Sequence, residues 1–135
     1  MSKKEPKYRV SFWFRKVLVP FDSSGPSKKA LELAKDFSYR YGSAVDVIYV
    51  CTICEEAERV KTEALSIFPE AKFFVRKFDP AESSVTSEIL KVLDEGDYDA
   101  VILGARGNSL DVSRPLGSVT SGIMMSFSGT IIVVR

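Results

Sequence analysis

Residues 100–118 read AVILGARGNSLDVSRPLGS, and the glycine-bearing stretch from Gly104 to Ser118 decides how the rest of the chain is read. Ala100, Val101, Ile102 and Leu103 form an apolar run of strand length, and residues 119–127 can form a helix. The glycines therefore lie on a strand-to-helix connection. At such places α/β proteins present main-chain N–H groups and a positive helix end to an anion. Glycine at positions 104 and 107 permits backbone angles closed to other residues and close approach of a ligand. Gly117 and Ser118 fall at the helix start, where serine offers a hydroxyl and an amide, and Arg106 and Arg114 add permanent charge. Two readings follow: a phosphate cradle, or an ordinary loop that contains glycine.

Outward from that loop, apolar runs and helical stripes alternate. Residues 16–21 (KVLVPF), 44–50 (AVDVIYV), 73–78 (FFVRKF), 99–104 and 130–134 read as strands. Between the first two, Ser23 to Pro26 carry start signals, Ala30, Leu33, Ala34, Phe37 and Tyr41 share a helical face, and Gly42 gives the stop. Residues 55–68 form an amphipathic helix with Ala57, Val60, Ala64 and Ile67 inward. Asp79, Pro80 and Glu82 predict the start of a third helix, whose stripe is Val85, Ile89, Val92 and Leu93 and whose end is Gly96. The weakest helix is the last, because Ser121, Gly122, Ser126 and Ser128 are poor formers. This βαβαβαβαβ order predicts one α/β domain over residues 16–135 with a parallel sheet and helices on both faces, preceded by an extension over residues 1–15.

Composition narrows the chemistry. The 135 residues carry 19 basic and 18 acidic side chains, a net charge of +1, so nucleic acid is not an expected partner. No apolar run is long enough for a membrane span, and the N-terminal residues lack a signal-peptide pattern, so a cytoplasmic protein is expected. With two cysteines and no histidine, a Ser-His-Asp triad and a histidine-ligated metal are excluded, and no protein metal site is expected. Cys51 and Cys54 form a C-x-x-C, read either as a redox pair or as two small packed thiols. Residues 10–14 (VSFWF) are expected to pack on the domain or on a second subunit, with covering of the fifth strand's edge within one chain as a competing idea.

Asp22 stands at the carboxyl end of the first strand, where open α/β sheets place ligand contacts; a turn or capping role is its alternative. The loop is neither a Walker A loop nor a dinucleotide fingerprint, since it has no Gly-Lys-Ser/Thr and no G-x-G start. Its pattern is Gly, two residues, Gly, nine residues, Gly, Ser, filled by Gly104, Gly107, Gly117 and Ser118.

With that pattern the chain resembles the universal stress protein family, over residues 16–135. The same resemblance covers Val19-Pro20-Phe21-Asp22, the spacing of Ser24, Ser27, Ala30 and Leu31, the Asp97-Tyr98-Asp99 approach, Gly117-Ser118-Val119 and the Val133-Val134-Arg135 ending. Where family members carry an Ala-Pro-Cys-Pro-like run before the last strand, this chain has Ser126-Phe127-Ser128-Gly129-Thr130. The resemblance implies a Rossmann-like, five-stranded parallel sheet in the order 3-2-1-4-5. It places the chain with the ATP-binding branch, with ADP or AMP as other occupants and Mg2+ alongside the phosphates. Pro20, Phe21, Asp22, Val50 and Leu103 would surround the adenosine; Gly104, Arg106, Gly107, Gly117, Ser118 and Val119 would hold ribose and phosphates. The fifth strand, Thr130 to Val134, is apolar and should be an edge, so a homodimer through it is expected, with a further protein partner unidentified. Functions left open are a nucleotide-dependent regulator, a slow ATPase or phosphotransfer protein using Asp22, Asp111, Arg106 and Arg114, and a nucleotide-free interaction protein.

Overall fold

The computed structural model describes residues 9–106 and 117–135. Five parallel strands, β1 (Lys16–Pro20), β2 (Ala44–Cys51), β3 (Lys72–Lys77), β4 (Ala100–Gly104) and β5 (Thr130–Val134), form one sheet in the order β3-β2-β1-β4-β5. Parallel strands need long crossovers, and helices supply them. These are α1 (Gly25–Tyr41), α2 (Ala57–Ile67), α3 (Val85–Glu95) and α4 (Ser118–Ser126).

The sheet alternates its side chains between two cores. Val17, Val19, Val45, Val47 and Ile102 face α1 and α2, where Ala30, Leu31, Ala34, Val60 and Ala64 meet them. Leu18, Ile48, Val101 and Leu103 face the other way, onto Ile89, Val92, Leu93 and Ile123 of α3 and α4. Central strands buried on both sides explain why β1 and β4 read as unbroken apolar runs. Glycine in the middle of α4 has a packing reason: a Cβ on Gly122 would stand 2.5 Å from the Thr86 methyl of α3.

Caps define most helix ends. Ser24 accepts from the Ser27 amide at the start of α1, and Gly42 closes it in the left-handed region at φ 71°. The start of α3 differs from the sequence expectation. Asp79 makes its own turn, its carboxylate accepting from the Ala81 amide at 2.9 Å. The helix begins six residues later, with Ser84 as the cap that accepts from Ser87. A short local turn won over the proline start signal.

Residues Arg9–Phe14 form a 3-10 helix. Phe14 is buried edge-on against Phe37 of α1, at 4.8 Å between ring centroids, and stacks on Tyr41. The segment thus packs on the domain through α1, not as a cover for β5, while Phe12 and Trp13 remain exposed. Among the described residues, β5 pairs only with β4 and β3 only with β2. No helix among the described residues is long and apolar enough to cross a membrane.

Candidate functional site

The sheet order reverses between β1 and β4, and a cavity of about 260 Å³ opens there, at the carboxyl ends of β1, β2 and β4. This is the position where open α/β sheets take ligands, and the size lies near the low end of ordinary small-molecule cavities, roughly 300–1,000 Å³. Every residue singled out from the sequence lines it except Gly107, which lies outside the described residues, as do Asp111 and Arg114.

Beyond Pro20 the β1 ladder continues one step, because the Phe21 amide donates to the Ile48 carbonyl at 2.9 Å. Asp22 follows. Its Oδ1 accepts from the Ser24 amide at 3.0 Å, so the residue both turns the chain and lines the cavity. Between them Ser23 takes a positive φ of 66°, unusual for a residue with a side chain. The Ser23 hydroxyl and Glu63 Oε2 of α2 are buried without a hydrogen bond of standard geometry. The hydroxyl is nevertheless the foremost influence holding the Glu63 carboxyl below its usual range, ahead of Arg59 and Lys28.

Gly104 ends β4 against the first turn of α1. A Cβ there would lie 2.7 Å from Pro26 Cβ and 2.8 Å from both the Pro26 carbonyl carbon and the Ser27 amide nitrogen. Its requirement is therefore space and not unusual backbone angles, since among the described glycines only Gly42 has positive φ. The Thr120 hydroxyl donates to the Gly104 carbonyl at 2.8 Å and fastens α4 to β4.

The glycine loop leaves at Arg106 and returns at Gly117, and its two ends are tied. The Gly117 amide donates to the Ala105 carbonyl at 2.8 Å, and the Ala105 amide to the Val134 carbonyl at 2.6 Å. The Gly117 amide is thus engaged within the chain at the place where α4 begins, and the residue lines the cavity. The first helical N–H groups, of Ser118, Val119 and Thr120, have no intrahelical acceptor. Together with the Ser118 hydroxyl and the Arg106 guanidinium they make the polar end of the cavity.

Six further lining residues were missed as site residues: Ser24, Ser27, Ile48, Val85, Ile89 and Thr120. The signal for two was present, because Val85 and Ile89 lie four apart on the apolar stripe of α3. What aims that stripe is a non-local charge cluster. Glu88, with its side chain 8% exposed, accepts from Arg76 of β3 at 2.9 Å, Ser83 at 2.6 Å and Lys91 at 3.0 Å. The Ser83 hydroxyl first, then Arg76 and Lys91, pull its carboxyl down to about 2. No group of acidic or cysteine side chains able to hold a metal occurs among the described residues.

The C-x-x-C pair does not consist of separate thiols: Cys51 and Cys54 are joined as a disulfide at the end of β2.

Fold and cavity together define a Rossmann-like α/β protein with an apolar cleft and a polar, helix-N-terminal end at the point of strand reversal. No protein-family model and no curated protein sequence matches the chain. Solved structures do, universal stress proteins among them. UspA from Lactobacillus plantarum is 18% identical, with a TM-score of 0.68 over 90% of this chain and 98% of its own. A universal stress protein from Archaeoglobus fulgidus in complex with dAMP is 19% identical, with a TM-score of 0.69 over 90% and 98%. A third, in complex with cAMP, is 18% identical, with a TM-score of 0.72 over 90% and 97%. At these identities the likeness is one of fold.

Proposed function

We propose that this protein is a universal stress protein of the ATP-binding branch, a cytoplasmic module whose partner choice depends on the adenine nucleotide it holds. The observation that carries the reading is the convergence of two chemistries in one cavity. Ile48, Val50, Val85 and Leu103 give an apolar slot suited to a base. Arg106, Ser118 and the free first-turn amides of α4 suit phosphate oxygens, and the Asp22 carboxylate suits ribose hydroxyls. Relatives in fold that hold dAMP and cAMP support the same assignment. ATP is the first choice of ligand, ADP and AMP the others, and Mg2+ would arrive with the phosphates. Partnership with a second copy through Thr130–Val134 belongs to the same reading, because that strand is an uncharged edge.

Regulation is favoured over hydrolysis because Asp22, the described candidate for a base, accepts a hydrogen bond from Ser24 and serves the turn.

The test is retention of nucleotide. Freshly purified protein is denatured and its supernatant chromatographed for adenine nucleotides, and ATP with magnesium is titrated against the emptied protein. Gly117→Leu is the matched variant: Gly117 has φ −71° and ψ 164°, angles open to any residue, and the variant's circular dichroism and urea midpoint are measured alongside. Loss of at least about tenfold in ATP affinity at unchanged stability is expected, as a bulky side chain would stand at the helix start where phosphate binds. Equal affinity in this variant, or no binding by the wild type, defeats the reading.

A further inference from the structure

We propose that Cys51 and Cys54 form a reversible thiol–disulfide site that sets the order of the connection between β2 and α2 and thereby tunes the adjoining cavity. The second half of this statement rests on the nucleotide reading above; the first does not.

Three observations carry it. Both cysteines of the chain are in this one bond, so no third thiol competes for either sulfur. The bond spans only three positions in sequence. A cross-link over so short a loop restricts the unfolded chain least, so it is a poor fold staple, and the two apolar clusters hold the sheet without it. Its place is the third. Cys51 is the last residue of β2, paired with Lys77, and its carbonyl accepts from the Phe78 amide at 3.1 Å. It directly follows Val50, a wall of the cavity. The residues it closes over, Thr52 and Ile53, are exposed, Ile53 by 73%. The Cys54 carbonyl in turn accepts from the Ala57 amide, the first residue of α2. One bond thus ties the end of a central strand to the start of a helix across an exposed connection.

Access decides the chemistry. Cys51 is 6% exposed and Cys54 is half-buried, so an incoming thiolate reaches Sγ of Cys54. The sulfur–sulfur bond breaks, Cys51 leaves as the thiolate and takes a proton, and a mixed disulfide remains on Cys54. The second thiol of a dithiol reductant attacks that mixed disulfide and releases Cys54 as a thiol, while the reductant becomes a cyclic disulfide. Two electrons and two protons pass to the protein. In the reducing cytoplasm proposed above, disulfides are mostly transient, serving catalysis or redox sensing.

The experiment uses the full chain and dithiothreitol. Under native conditions the pair should be reduced and take up two alkyl groups with iodoacetamide, at a folded-state signal unchanged in circular dichroism. Hydrogen exchange at residues 50–57 should quicken on reduction. ATP affinity should fall by about threefold or more, because a wall ordered in advance binds at lower cost. Cys54→Ser should reproduce the reduced form. A bond that yields to dithiothreitol only after unfolding overturns the proposal, and so does unchanged exchange on reduction. Equal ATP affinity in the two redox forms overturns the tuning. Should neither form bind ATP, the nucleotide reading fails, and the exchange measurement decides the thiol–disulfide site by itself.

Discussion

Replacing Gly104 with alanine adds one carbon, and the structure says where it must go. The new methyl would sit 2.7 Å from Pro26 Cβ and 2.8 Å from the Ser27 amide nitrogen. Ordinary contact begins near 3.4 Å, so the first turn of α1 has to retreat by about 0.7 Å, and the atoms met are backbone and ring, not a flexible side-chain end. Overpacking of this kind costs about 1–3 kcal/mol. For a 135-residue chain that is a fall in Tm of roughly 4–12 °C. The displaced turn carries Ser27 and, through Ser24, holds Asp22, so ATP affinity should fall as well. Gly25→Ala is the control, since a Cβ at Gly25 meets nothing within 4 Å and should change stability by less than about 0.5 kcal/mol. Urea titration of both variants supplies the midpoint and the slope. If Gly104→Ala unfolds at the wild-type midpoint with an unchanged slope, β4 and α1 do not meet as described, and the reasoning about the cavity's floor is refuted.

Further outcomes are expected. Ser23→Gly should be more stable than Ser23→Ala by about 1 kcal/mol, because only glycine occupies a φ of 66° without a Cβ penalty; equal urea midpoints would remove the strain from consideration. Glu88 has a folded pKa of about 2, below its unfolded value, so its contribution is complete above the ordinary carboxylate range and is lost as pH falls toward 2. Thermal unfolding from pH 5 to 2 should therefore show a flatter decline in Glu88→Gln than in the wild type, and parallel declines would contradict this. Ile123→Ala, at a site with no solvent exposure between α4 and the sheet, should cost about 2–5 kcal/mol in urea unfolding; a loss under 1 kcal/mol would mean α4 is not docked there.

The sheet was legible in the sequence because its central strands are buried on both faces and appear as unbroken runs such as Val17-Leu18-Val19 and Ala100 to Leu103. Even α4, with its serines and Gly122, lay where its apolar positions put it, since packing of Ile123 outweighs poor propensity. Most residues read from the glycine pattern and the Pro20-Phe21-Asp22 corner converge on one cavity, for these are local features at strand ends. Non-local features were not legible. The Glu88 cluster joins β3 to α3 and needs the fold to bring Arg76 near. The start of α3 differs from the expectation because Asp79-Pro80 and Ser84 both carry start signals, and the local turn closed by Asp79 on Ala81 leaves the cap to Ser84. The left-handed Ser23 has no mark in sequence at all, and the union of Cys51 with Cys54 was one of two readings its spacing permits.

The two rims of the sheet are unlike. On β3 the exposed positions are Lys72, Val75 and Lys77, with Arg76 between them, whereas β5 carries no charge along its length. In the proposed pairing through β5, the rims left open would be the two basic ones, which repel each other. If that pairing holds, growth by joining pairs rim to rim is disfavoured, because that contact sets Lys72, Arg76 and Lys77 against their own copies.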